Sequence, residues 1–395
     1  MCLSFVVYFF VMWYKKAAIQ YLKEQQVEPY ELEYELDSNR ISPELYSKFI
    51  EMNEDEGTSK FLEKYCKDVE GWWTTLAGNV LRYYYSLTDA NAILNRGQMH
   101  VLSADQLKKL LYPGQVFDNE YTNGMRISSL LDIGSGDGNV TMNLSCLLKS
   151  SENDETWKDR VVTTELSYYM VKRLREQGFS CAETTDITRD NLIPYLRTNP
   201  HSEDDRAFDM VTLFNVLDRC DKPLSLLNDI RNLLIPKNGN LTKDTETGIL
   251  LLAVVLPWGP FVEDGSSQKR PTEILPVDGK SVFWPVPMKE LSAEECEKRF
   301  LKTNENINAN CTPIRKENSK SCACCRCGRF EECVDWITWN TLIPNGWEVI
   351  NWTRVPYIAA GDMNCRYYTL DNAVFVLKPS IHVQNEFPLY QPPLD

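Results

Sequence analysis

Three glycines at every second position close one apolar run, Leu130-Leu131-Asp132-Ile133-Gly134-Ser135-Gly136-Asp137-Gly138. No other stretch restricts the fold so strongly. Leucine and isoleucine leading into glycine describe a buried strand that turns tightly at its end. Glycine lets that turn take positive φ and approach a ligand with no Cβ in the way. The N–H groups of the turn and of the following helix are then expected to face a nucleotide-like ligand. The spacing G-x-G-x-G differs from the dinucleotide fingerprint G-x-G-x-x-G. With an acid two residues before the first glycine, it suits S-adenosylmethionine better than NAD. As a string by itself it is also compatible with an ordinary loop.

The next segments favour the ligand. Val161-Val162-Thr163-Thr164-Glu165 reads as a second strand ending in a carboxylate, where a nucleotide fold places the acid that holds the ribose hydroxyls. A solvated acid after a strand is the alternative. Phe179 to Thr184 reads as a third strand, with Asp186 just beyond it near the adenine. From Phe208 the chain runs Phe-Asp-Met-Val-Thr-Leu-Phe and then Asn215, Val216, Leu217 and Asp218. The apolar part is a buried parallel strand, and its carboxyl end is the edge where doubly wound sheets bind ligands. Asn215 and Asp218 are expected there, beside the sulfonium methyl. The competing reading makes Asp218 or Asp221 the cap of the helix that carries Leu224, Leu226, Leu227, Ile230 and Leu234. Ile249 to Leu256 is the next buried strand, ended by Pro257. The strands alternating with helical patterns up to the one that begins at Phe208 build a βαβ sheet; Trp347 to Arg354 reads as a further strand, and Tyr367 to Leu377 as the one that closes the sheet.

Composition narrows the substrate. The net charge of −14 argues against nucleic acid, which calls for a basic stripe. It leaves room for a neutral or basic protein substrate, although solubility alone also explains an acidic balance. Cys2 to Tyr14 is almost wholly apolar, short for a membrane span, and lacks a preceding Lys or Arg. It reads as a weak secretory or signal-anchor element, with a core helix or an imperfect start site as alternatives. Membrane association is expected only through this segment. Residues 1–59 form that segment and an acidic helical region, 60–126 an aromatic-rich helical lid and linker, and 127–380 the sheet domain. An insertion at about 291–333 interrupts that domain, and 381–395 is a tail. Seven of the thirteen cysteines fall between Cys296 and Cys333. Their spacing is not that of paired C-x-x-C knuckles, so a loop without a defined role, a metal site and disulfides all stay open there. His100, His201 and His382 are scattered and make a poor metal set, and no metal residue is assigned.

Several strings resemble one family. Leu217-Asp218-Arg219-Cys220-Asp221 followed by Pro223-Leu224, Val255-Leu256-Pro257, Pro271-Thr272-Glu273-Ile274-Leu275, Tyr357, Gly361-Asp362-Met363 and Ala373 to Pro379 are similar to the DREV, or methyltransferase-like protein nine, family. Arg96 to Val101 resembles the family's element just before the sheet. The resemblance covers roughly 60–290 and 335–380. It implies an α/β fold: a seven-stranded Rossmann-like class I S-adenosylmethionine-dependent methyltransferase sheet with an N-terminal helical extension. It also implies a protein histidine methyltransferase that modifies the pros nitrogen in His-x-His sequences. By resemblance, Asp132, Gly134, Gly136 and Glu165 hold the cofactor, with Ser135, Gly138, Asp186 and Asn215 as further contacts. Asn215, Asp218 and Tyr368 hold the substrate imidazole as the catalytic set, with Tyr357 nearby. The resemblance further implies the endoplasmic reticulum or mitochondrion as location, with the cytoplasm as the alternative, and a monomer is expected. Two other functions stay open: a methyltransferase acting on another nucleophile, and a non-catalytic adaptor that uses the cysteine-rich insertion.

Overall fold

The computed structural model describes residues 32–67, 71–115, 127–202, 205–239, 241–242, 245–264, 267–273, 275, 330–361 and 365–380. The apolar N-terminal segment, the cluster Cys322 to Cys327, His382 and the C-terminal tail lie outside them. Four parallel strands form the centre: β2 (Leu130–Ile133), β3 (Val161–Thr164), β4 (Ser180–Ala182) and β5 (Met210–Phe214). Beside β5 runs β6 (Ile249–Val255), also parallel. Two long antiparallel strands follow, β9 (Trp347–Ala360) and β10 (Tyr367–Pro379), with β10 inserted between β6 and β9. A two-residue strand, β1 (Met99–His100), pairs with the outer side of β9. The order β1-β9-β10-β6-β5-β2-β3-β4 makes eight strands, so the expected seven-stranded sheet is present with one short edge strand added. A separate hairpin, β7 (Val262–Asp264) and β8 (Ser267–Lys269), follows β6.

The central strands are buried along almost their whole length because both faces are covered, as parallel sheets require. Leu131, Val162, Leu213, Leu252 and Phe375 point into one core, and Leu130, Val161, Met210, Leu251 and Val374 into the other. Alternation along each strand therefore divides its residues between the two cores. Helices preceding the sheet are α1 (Glu56–Tyr65), α2 (Trp72–Leu81), α3 (Leu87–Leu94) and α4 (Ala104–Leu111). Helix α4 starts with a reciprocal capping box of Ser103 and Gln106, which satisfies two otherwise unpaired N–H groups. Beyond the glycine turn come α5 (Asn139–Asn143), α6 (Tyr168–Glu176), α7 (Pro223–Leu234) and α8 (Phe330–Ile337).

Two expectations change. The acidic stretch before α1 was expected to be helical, yet among residues 32–55 only Pro43–Tyr46 forms a helical turn. Its chain instead lies against the sheet: Ile50 donates its N–H to the Trp352 carbonyl (2.8 Å), and the Trp352 indole donates to the Leu45 carbonyl (2.7 Å). Backbone pairing to β9 outcompetes a helix whose acidic residues gain little from the core. The insertion also ends sooner than the cysteine pattern implied. Residues 330–333 belong to α8, where Phe330, Cys333 and Val334 are buried in the first core.

Candidate active site

The glycine turn sits at the carboxyl end of β2. Gly134 and Ser135 donate their N–H groups to the Thr164 carbonyl (2.9 and 3.1 Å), folding the turn over the end of β3. Gly134 has φ of +69°, and a Cβ there would lie 2.5 Å from a Val216 methyl. Only glycine combines that left-handed backbone with so close an approach. The Gly136 N–H goes to Glu165 Oε2 (3.0 Å), and the Asn139 N–H to Asp137 (3.0 Å). The expectation that these donors face a ligand is therefore corrected: the protein itself uses the N–H groups of Gly134, Ser135, Gly136, Gly138 and Asn139, and the half-buried Glu165 carboxylate gathers the turn. Glu165 Oε1 also accepts from Leu166 and Ser167 (2.7 and 3.2 Å). It is fixed at the tip of β3, half-buried, where a ribose-binding acid belongs.

Asp132 plays a different part from the one the sequence suggested. It is 2% exposed, and its oxygens accept the hydroxyls of Thr141 (2.5 Å) and Thr212 (2.6 Å). Both are internal partners, so Asp132 ties β5 and α5 to the glycine turn and shapes the cofactor site from beneath. Burial raises its pKa, opposed by the hydroxyls of Thr141, Thr212 and Ser135. Ser135 closes the turn by donating to the Asp132 carbonyl (2.8 Å), and Gly138, at φ +82°, starts α5. Asp186 lies exposed in the turn after β4 and accepts the Thr188 N–H (3.0 Å), which lowers its pKa.

The other half of the candidate site begins at the end of β5. Asn215 has φ of +55°, a left-handed conformation that Asn tolerates better than other non-glycine residues. Its N–H donates to the Ala253 carbonyl (3.0 Å), yet neither amide atom of its side chain has a partner. Three residues on, in the turn Leu217–Arg219, Asp218 is 7% exposed and its Oδ1 is unpartnered. Burial pushes its pKa up to about 6, with Arg219 opposing. The capping alternative fails here: α7 is preceded by Lys222 with no side-chain cap, and Asp221 instead accepts Thr272 through its N–H and hydroxyl (3.1 and 2.9 Å). Buried polar groups are normally paired, so orphaned groups on Asn215 and Asp218 at a ligand edge mark a binding site.

Tyr357 on β9 is buried, and its hydroxyl donates to the Met99 sulfur of β1. Burial, and then the nearby charges of Asp218 and Asp137, raise the Tyr357 pKa against Arg219, which keeps the phenol protonated. Tyr368 is 39% exposed on β10 and opposite Ala359, on the same face as Tyr357 but at the open rim. Met99 was missed by sequence reasoning. Its methyl lies 3.8 Å from where a Gly136 Cβ would be, so one thioether touches both the glycine turn and Tyr357. The element Arg96–Val101 carried the hint, without assigning the residue a role. His100 is structural: its ring contacts Thr58 (3.3 Å) and Phe61 (centroids 5.1 Å apart), and burial lowers its pKa to about 4.

Helix α3 ties this site together from outside. Asp89 accepts the Ser167 hydroxyl (2.5 Å), the Ala92 carbonyl accepts Arg173 (2.6 Å), and Thr88 donates to Glu263 on β7 (3.2 Å). It bridges the glutamate side and the hairpin after β6. Among the described residues, no group of three or more His, Cys, Asp or Glu is placed to hold a metal ion.

The strand order, with β10 antiparallel between β6 and β9, together with a glycine turn at β2 and an acid at β3, defines a class I methyltransferase. The family model of DREV methyltransferases matches residues 33–289 and 307–379, and the chain belongs to that family. Among solved structures, the chain is similar to a methyltransferase from Anabaena variabilis, with 11% identity over 76% of this chain and 94% of that one, TM-score 0.33. It is similar also to one from Methanosarcina mazei, with 10% identity over 66% and 95%, TM-score 0.30. The protein is an S-adenosylmethionine-dependent methyltransferase. The residues present fit that cofactor: a turn that excludes Cβ atoms at Gly134, a fixed acid at Glu165, and unpaired polar groups at Asn215 beside them.

Proposed function

We propose that this chain methylates the pros nitrogen of histidine in His-x-His sequences of protein substrates. The observation that carries the reading is Asp218, a buried carboxylate with an unpaired oxygen, next to Asn215 with an unpaired carboxamide. When bound, the cofactor supplies a methyl group already activated on a sulfonium. The chain's own task is then to hold one nucleophile in line, and alignment of that kind supplies on the order of 7–11 kcal/mol. Neutral imidazole, with an ordinary pKa of about 6.5, is nucleophilic near pH 7 without a strong base. It needs the right tautomer. For attack through the pros nitrogen, the proton must sit on the tele nitrogen, and Asp218 accepts that N–H. The same carboxylate stabilises the positive charge that develops on the ring, as an acid does for a catalytic histidine. With its pKa near 6, it is also poised to take up the proton that the methylated ring loses. Asn215 orients the ring, and Tyr357 offers a phenol that stays protonated.

The family resemblance supports the same acceptor, and with it a protein partner and a location in the endoplasmic reticulum or mitochondrion. No described helix is long and apolar enough to cross a membrane. The test uses the full chain, methyl-labelled cofactor and a His-x-His peptide. Label is expected in that peptide and absent from the same peptide with both histidines replaced by asparagine. Calorimetric cofactor binding without transfer to the histidine peptide removes the proposal.

A further inference from the structure

A third unpartnered polar side chain, after Asn215 and Asp218, lies on the same edge of the sheet. Asn372 is fully buried, at 0% exposure, and neither Oδ1 nor Nδ2 has a hydrogen-bond partner. It sits on β10, a strand of Val, Phe and Leu in which asparagine is otherwise disfavoured. Its partners across the sheet are Val255, the last residue of β6, and Val355 of β9. That places it at the carboxyl edge, where Asn215 also hangs from β6 through the Ala253 carbonyl. Side chains directly opposite one another share a face, and alternate residues along a strand do too. Asn372 therefore shares a face with Leu370 and Tyr368 on β10, and with Val355 and Tyr357 on β9. The backbone around it is fully used, with Asp371 accepting the Leu256 N–H (2.9 Å), so no fold-making bond accounts for the carboxamide.

We infer that Asn372 is a substrate-binding residue: its carboxamide pairs with a neutral group of the protein substrate that offers both a donor and an acceptor. The inference rests on the acceptor reading above and extends it by one strand. An amide suits a neutral partner because it carries one donor and one acceptor side and no charge. Leaving both unpaired in the free protein costs stability, a cost typical of sites built for a ligand.

Asn372→Leu tests this, since leucine is close to asparagine in shape and carries no polar atom. The thermal midpoint of the variant is expected to equal or exceed the wild type, with cofactor affinity by calorimetry unchanged. The value of kcat/KM on the His-x-His peptide is expected to fall about tenfold or more, mostly through KM, as for a lost uniform binding contact. Asn372→Thr, which restores a hydroxyl, should recover part of that loss. A lower thermal midpoint in Asn372→Leu would show that the amide is satisfied within the fold, and would overturn the inference. Wild-type kcat/KM in Asn372→Leu would overturn it equally while leaving the histidine reading intact. No transfer by the wild-type chain would remove both.

Discussion

On the proposed histidine reading, Asp218→Asn is expected to lose on the order of a hundredfold or more in kcat/KM while binding S-adenosylmethionine as before, because it would remove the proton acceptor and the charge proposed to orient the ring. The same change should make the free protein more stable at neutral pH. The carboxyl pKa is about 6 when folded, above its ordinary 3.8, so the folded state holds the proton more tightly than the unfolded state. The stability from this group is present at low pH and is lost as pH rises from about 4 to about 6, then stays lost. That difference corresponds to about 3 kcal/mol above pH 6. Asparagine does not titrate, so the variant's thermal midpoint should gain most at pH 7 and hardly at all at pH 4. The activity profile changes too. Wild-type kcat/KM should fall below about pH 6 as Asp218 takes a proton, in addition to the loss caused by protonation of the substrate ring near pH 6.5. The variant should keep only the substrate's limb. A variant less stable than wild type at pH 7, or one that loses cofactor affinity in step with activity, would take Asp218 out of this role.

Glu165→Ala is expected to do the reverse. Glu165 accepts the N–H groups of Gly136, Leu166 and Ser167, so it shapes the turn as well as standing where a ribose-binding acid belongs. A hydrogen bond to a charged group is worth about 1.5–3 kcal/mol, which corresponds to about a ten- to hundredfold loss of cofactor affinity. The activity remaining at saturating cofactor should fall far less, and peptide affinity should hold. Calorimetry with cofactor and with peptide separates these. Equal weakening of both ligands would mean that the turn has collapsed.

These two residues were legible in the sequence because each ends an apolar run, and the end of a buried strand is where a doubly wound sheet exposes chemistry. The same reasoning located β2, β3, β5 and β6 within a residue or two. It could not say which way a carboxylate turns. Asp132 stands two residues before the first glycine, and only its hydroxyl partners on α5 and β5, at nine and eighty residues' separation, show that it points inward. Met99 and Asn372 were hidden for a related reason. Their roles depend on the pairing of β1 with β9 and of β10 with β6, contacts over long sequence distances that no local period reports. The acidic stretch before α1 misled because its residues favour helix locally, whereas in the fold its backbone pairs with Trp352.

Histidine as the methyl acceptor, at the ring nitrogen opposite the one proposed to be held by Asp218, is tested most directly by mass spectrometry of a histidine-peptide library incubated with labelled cofactor, followed by chromatographic resolution of the two imidazole isomers. Label is expected on the pros nitrogen, concentrated in His-x-His peptides. Label on the tele nitrogen, or on a residue other than histidine, would contradict the account.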